Sequence, residues 1–197
     1  MSAAPFIPPA EHSAGDLTIR AYRPGDGPAL QRAVVDSYAH LRPWMLWARA
    51  EQSVAESEAI CHTFAGRYLL GQEFTLGIWL GDELAGGSGF HLRHGPIDLG
   101  VAEIGMWVSA ARAGAGLGTR TLSALLEWGF SAWPWQRLVW RCDTRNLASA
   151  RVAEKGGLTR EGTLRSDALA ADGSRRDTHL YAILRDEWLH KGAQAPG

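Results

Sequence analysis

Cysteine is scarce in this chain of 197 residues: Cys61 and Cys142 are the only two, and neither lies in a CxxC pair or at a metal-ligand spacing. That excludes a disulfide scaffold and a zinc ribbon and makes a reduced, cytoplasmic setting the expectation. An excess of one charge is lacking too. Lys and Arg number 20 against 21 Asp and Glu, for a formal net charge of -1. A main partner made of nucleic acid calls for a basic surface, so that class is argued against. No apolar run reaches the roughly 20 residues that a membrane span needs. The opening MSAAPFIPPAEHSAGD has no basic region followed by an apolar core, so it does not read as a signal peptide. No internal repeat is visible. A P-loop is absent because no lysine follows Gly118, and the dinucleotide fingerprint G-x-G-x-x-G is absent as well. Ser88 in GGSGF lacks the G-x-S-x-G spacing of a nucleophile elbow.

What is present is the composition of an ordinary globular protein, 46% hydrophobic and 21% charged. The length fits one domain with a sizeable core. Residues 1–14 read as a flexible lead-in, 15–190 as a single domain and 191–197 as a flexible tail. Nine tryptophans are many for this length. Most are expected in the core, with a few left to line a binding surface or a homodimer contact.

Along the domain, strand and helix patterns alternate. LTIRAYR (17–23) alternates apolar and polar residues as a half-buried strand does. A helix follows, with Pro28 near its start. LRPWMLWA (41–48) reads as a loop or short turn. Ser53 and Glu56 form a capping-box pattern for a helix over about 54–70. FTLGIWLG and ELAGGSGFHL flank Gly81-Asp82 as a hairpin. DLGVAEIGMWVS is a third β-rich run, and the glycine stretch AGAGLG (113–118) leads from it into a helix. RLVWRCDT is a strand, NLASARVAEKGGL a short helix with Asn146 as N-cap, and TREGTLRS and RRDTHLYAILRDEW close the chain as two strands. The order is that of an α/β sandwich on a mixed sheet.

Gly114, Gly116 and Gly118 stand where a strand ends and a helix starts. A turn of small residues there collects free backbone N–H groups in one concave spot, and the helix dipole adds positive potential. That is an anion site suited to a pyrophosphate. Glu103 is a carboxylate inside an otherwise apolar strand, costly unless paired or functional. Counting in twos places Ala102, Ile104, Met106 and Val108 on one face and Glu103, Gly105 and Trp107 on the other. The pair His91-x-x-His94 has no carboxylate or cysteine cluster near it in sequence, which reads as surface residues and no metal.

AEIGMWV, AGAGLG and NLASARVAEKGGLTREG together resemble the GNAT acyltransferase superfamily, closest to its RimJ/RimL-like ribosomal-protein N-acetyltransferases, over about Leu17 to Trp188. The resemblance implies an α/β (α+β) fold with a mixed, mostly antiparallel sheet of about seven strands and about four flanking helices. It implies acetyl-CoA, or another acyl-CoA, as co-substrate. Gly116 and Gly118 match the last two fixed positions of the family's [RQ]-x-x-G-x-[GA]. Ala113 stands where Arg or Gln is usual, with Arg112 one place early. Arg112, Ala113, Gly114, Ala115, Gly116, Leu117, Gly118, Thr119 and Arg120 are the expected pyrophosphate region, with the amides of 115–120 as donors. Met106, Trp107 and Val108 are expected to pair with pantetheine on a strand that splays from its neighbour. Asn146 and Ser149 match N-x-x-[SA], with Asn146 facing the pantetheine arm and Ser149 protonating the departing thiolate. Glu103, or Asp167, or water would serve as base. Arg42, Trp44 and Trp47 fall in the segment that borders the acceptor site. The implied activity is direct transfer of an acetyl group, in a ternary complex, to a protein or peptide N-terminal amine. A small-molecule amine and a non-catalytic acyl-CoA sensor are the alternatives.

Overall fold

The structure, a computed structural model, describes residues 6–193. Eight strands form one sheet in the order β1-β2-β3-β4-β5-β6-β8-β7. These are β1 (Glu11–Ala14), β2 (Leu17–Ala21), β3 (Phe74–Leu80), β4 (Glu83–His91), β5 (Val101–Val108), β6 (Arg137–Asp143), β7 (Thr159–Leu169) and β8 (Arg175–Leu184). The helices are α1 (Gly27–Asp36), α2 (Tyr38–Leu41), α3 (Val54–Leu69), α4 (Leu117–Ala132), α5 (Leu147–Lys155) and α6 (Arg185–Ala193). All strand pairs are antiparallel except β5 with β6.

Local chemistry accounts for the element starts. Ser53 Oγ accepts from the Glu56 amide and the Glu56 carboxylate accepts from the Ser53 amide, a complete capping box on α3. Pro28 takes the first turn of α1, where its missing N–H costs nothing. Glu58 of α3 accepts from the amides of Gly25 at 2.6 Å and Gly27 at 2.8 Å, so one helix caps the other. An added Cβ at Gly27 would lie 2.7 Å from the Glu58 backbone, which is why that crossing is bare.

Two apolar clusters cover the two faces of the sheet. The larger gathers α4, α5 and the inward residues of the strands, with Phe74, Phe90, Trp128, Trp133 and Trp135 packed ring against ring at its centre. The smaller packs α1 and α3 on Trp79 and Leu84. Five of the tryptophans are buried.

Three expectations are corrected. The stretch through Ala14 was expected to be a lead-in, but Glu11–Ala14 pairs in register with β2 as the edge strand, a role its polar sequence does not signal; residues 1–5 lie outside the described residues. The last strand ends at Leu184. Its amide donates to the Glu187 carboxylate at 2.9 Å, and α6 begins at Arg185. Arg185 is the anchor: its guanidinium donates to the carbonyl of Phe130 in the last turn of α4 and to those of Trp133 and Trp135 just beyond it. The expected tail at 191 is still helical through Ala193, and 194–197 lie outside the described residues.

Candidate active site

β5 carries Ala102 and Ile104 into the large core, and Glu103, Gly105 and Trp107 toward the opposite face, as alternation requires. The neighbouring strand β4 supplies a bare floor. The Trp107 indole lies over Gly87, where an added Cβ would stand 2.3 Å from Nε1. The His91 imidazole lies against Gly105 and Gly89, whose added Cβ atoms would stand 2.7 Å and 3.2 Å from ring atoms. The glycine run of β4 therefore lets two rings lie flat on the sheet.

His91 is thus not the surface residue the sequence suggested. It lines the main cleft and is the register partner of Glu103. Its Nδ1 is 3.8 Å from Glu73, which Arg67 holds at 2.9 Å. Burial, and then the charge of Arg93, push the imidazole below its ordinary range, against the pull of Glu73. Glu103 itself is 5% exposed. Its Oε1 is 3.4 Å from Arg93, and its Oε2 is buried with no hydrogen-bond partner among the described residues. A buried carboxylate oxygen in that state is costly, and the cost falls when a donor arrives from the cleft.

β5 and β6 pair only from Val101 to Glu103 against Arg137 to Val139. Gly100 closes the base of this pairing by accepting from the amides of Gln136 and Arg137. Beyond it, β5 runs on to Val108 and β6 to Asp143 without pairing to each other. The sheet opens here into a V. A cleft of about 1400 Å³ runs through it. That exceeds the roughly 300–1,000 Å³ of a single small-molecule site, so two substrates fit together.

One wall of the cleft is Trp140, Cys142 and Ser149. Asn146 caps α5 by accepting from the Ser149 amide at 3.0 Å, and Ser149 Oγ accepts from Trp140 Nε1 at 3.1 Å. Trp44 and Trp47 line the other side, with Trp47 edge-on to Trp107 at 5.8 Å. Asp167 lines the cleft but is ion-paired to Arg141, and Asp143 is held by Arg145. Burial raises the Asp143 carboxyl, and the hydrogen bonds from Arg145 outweigh it and leave the group below its usual range. Arg93, Trp140 and Arg141 are site neighbours that the sequence reading missed. The alternation of RLVWRCD carried the signal for Arg141 and Asp143, since both share the face of Val139, the register partner of Glu103.

The glycine loop adjoins the end of β5 and does not line the cleft proper. Gly114 and Gly116 adopt left-handed φ values of 77° and 82°, which only glycine takes at little cost. Helix α4 has no side-chain cap. The Ala113 amide donates to Ala110 and the Arg120 amide to Gly116, while those of Gly114 through Thr119 find no backbone acceptor. The free set is therefore 114–119, displaced by one from the expected 115–120, because Arg120 is already the first residue bonded inside the helix. A cradle of six undonated amides at an uncapped helix start fits a pyrophosphate. Arg112 and Arg120 do not turn toward it: their guanidinium groups are paired with Glu83 and Asp16. Gly118 is bare for another reason, since its added Cβ would stand 3.2 Å from Val152 of α5. Arg42 also lies outside the cleft, reaching the Ala171 carbonyl at 3.5 Å. Val108 is the one β5 residue of the expected trio that does not line it.

Comparison with known proteins agrees with this geometry. The chain matches the family described as acetyltransferase (GNAT) domain over residues 16–159. It is 30% identical over 139 residues to the uncharacterized N-acetyltransferase YoaA of Bacillus subtilis (strain 168), covering 68% of this chain and 75% of that protein. It is 31% identical over 86 residues to YnaD of the same organism, where the match spans 44% of this chain and 50% of the relative. Among solved structures, RimL, the ribosomal L7/L12 alpha-N-protein acetyltransferase in complex with coenzyme A, superposes with a TM-score of 0.79 at 24% identity, over 88% of this chain and 97% of that one. The microcin C7 self-immunity acetyltransferase MccE, in complex with acetyl-CoA and AMP, gives 0.77 at 21% identity, over 87% and 93%. At these identities the structural likeness speaks for the shared fold. Among the described residues no helix is long and apolar enough to cross a membrane. The splayed sheet, the amide cradle and the family match over most of the chain together place this protein in the GNAT acetyltransferase family.

Proposed function

We propose that this protein moves an acetyl group from acetyl-CoA to a primary amine, with a protein or peptide N-terminal α-amine as the favoured acceptor. One observation carries the reading. A sheet opened between β5 and β6 lies next to an amide cradle at residues 114–119 that has no backbone acceptor among the described residues. The cradle would hold the pyrophosphate, and the stretch of β5 at Met106 to Val108, paired to β4 but open on its β6 side, with Asn146 across the V, would hold the pantetheine arm.

The chemistry assigns a proton task to each side of the cleft. The amine must lose a proton as its nitrogen bonds to the acetyl carbon, and the sulfur must gain one as the C–S bond breaks. The products are an acetamide and free coenzyme A, so atoms and charge balance. Glu103, with one oxygen free of partners, accepts the proton directly or through water and offsets the charge of an incoming ammonium. Asp167 is the weaker candidate because Arg141 already holds it. Ser149 gives a proton to the sulfur. Trp44 and Trp47 form the apolar wall on the acceptor side. The likeness to RimL supports a protein N-terminus, and the likeness to MccE, solved with acetyl-CoA and AMP, keeps a small-molecule acceptor as the second reading.

Calorimetric titration with acetyl-CoA, followed by thiol release over a panel of amino-terminal peptides and small amines, tests the proposal. Turnover on peptides is expected. Tight binding with no turnover on any acceptor would leave a sensor and end the enzymatic reading.

A further inference from the structure

Trp140 stands on β6, 4% exposed, directly across from Tyr181 of β8. Its indole Nε1 donates to Ser149 Oγ at 3.1 Å. An indole is a donor only, so it occupies one lone pair of the hydroxyl and leaves the hydroxyl proton free. That proton cannot point at Trp140. The backbone amide of Ser149 is committed to Asn146, which fixes the first turn of α5. On the open side of the hydroxyl are the cleft and Cys142. Burial raises the Cys142 thiol, and the neighbouring Ser149 hydroxyl draws it back down. Accepting an N–H bond also makes the hydroxyl a stronger donor.

Need alone does not explain the contact. A buried indole usually finds a partner. Trp79, Trp133 and Trp135, however, all keep a buried Nε1 with none among the described residues. Trp140 is the buried tryptophan that lines the cleft, and its indole is bonded. Below it, Tyr181 donates to Glu154 at 3.2 Å, so the sheet grips α5 at two heights.

We propose that Trp140 is a positioning residue for thiol departure: it holds the Ser149 hydroxyl with its proton turned into the cleft. The inference rests on the acetyltransferase reading. In the step it serves, the C–S bond breaks, its electron pair stays on sulfur, and sulfur takes the Ser149 proton. Ser149 regains a proton from solvent in the cleft.

The test combines Trp140→Phe, Ser149→Ala and the double variant with an indole NMR spectrum of the full chain. The indole N–H signal that Trp140→Phe abolishes is expected to move in Ser149→Ala and again when coenzyme A is added. With the best acceptor, Trp140→Phe is expected to lower kcat roughly tenfold, the equivalent of one hydrogen bond, with KM for acetyl-CoA within about twofold. The double variant should be no slower than Ser149→Ala alone. A Ser149→Ala spectrum in which no indole N–H signal moves overturns the proposal, even if Trp140→Phe fails to fold. So does wild-type kcat in Trp140→Phe, or a loss that adds fully to that of Ser149→Ala, which would mark a merely structural role. Wild-type kcat in Ser149→Ala also ends it, while leaving acetyl transfer standing. Absence of turnover by the wild type would instead defeat the acetyltransferase reading, and the indole signal would still report the bond.

Discussion

At the scale of single residues, the two carboxylates offered as base differ in what already holds them. Asp167 is tied to Arg141 on one side of the cleft, whereas Glu103 keeps one buried oxygen free. Glu103→Gln is therefore expected to lower kcat by about a hundredfold with little change in acetyl-CoA affinity, the range of a general base. Asp167→Asn should leave kcat within severalfold. Steady-state kinetics with a fixed acceptor decides, and an unchanged rate in Glu103→Gln removes it from the mechanism. His91 makes a second prediction. Burial lowers its folded-state pKa below the ordinary 6.5, so the unfolded chain binds the proton first. Its contribution to stability is complete above about pH 6.5 and is lost as pH falls below that value. Glu73, Arg93 and Glu103 face it. His91→Asn should flatten the fall in melting temperature between about pH 7 and pH 5 relative to the wild type, and parallel curves would contradict the assignment. Glu103 was legible in the sequence because strand alternation is local. His91 was not, because its burial depends on β4 and β5 being glycine at the positions beneath the ring, and that is a cross-strand fact.

At the scale of elements, the loop into α4 separates glycines that look alike in AGAGLG. Gly116 is bare for its left-handed backbone and has open space around it. Gly118 has ordinary backbone and is bare because α5 comes close through Val152. Gly116→Ala should cost about 1–2 kcal/mol of stability from the backbone alone. Gly118→Ala should cost a similar ~1–3 kcal/mol by overpacking, and Val152→Ala should relieve part of it. Denaturant unfolding of the two variants with and without Val152→Ala checks this, and equal rescue of both would show the two glycines to be alike. Helices with strong local signals, such as the capping box at Ser53 and the asparagine cap at Asn146, were readable from sequence. β1 and α6 were not. The first is held by its pairing to β2 and by His12 against Trp128 of α4, and the second by Trp188 against Phe130 and by Arg185 reaching carbonyls some 50 residues away, all contacts distant in sequence.

At the scale of the whole molecule, the opening of the sheet is the feature with the largest consequence and the least sequence signal. A strand that pairs on both sides and one that pairs on one side carry the same alternation, so the V between β5 and β6 is set by tertiary packing alone. It divides the sheet into β1–β5 and β6–β8, joined at the V by three residue pairs and by Gly100. A ligand lying in the V with its anion on the 114–119 amides would bridge both parts and α5. Binding then stabilises the molecule as a unit through mass action, by about 2.7 kcal/mol at a hundredfold excess over Kd. For a chain of this size that is a rise of roughly 5–10 °C in melting temperature. Pantetheine carries the same arm without the pyrophosphate. It should give a much smaller rise at equal concentration, because it leaves the six amides without their acceptor. Hydrogen exchange on the coenzyme A complex should slow at residues 104–108 of β5 and 146–149 of α5 together. Equal stabilisation by pantetheine would remove the anion cradle from the binding account, and protection confined to one part of the sheet would mean that the ligand does not bridge the V.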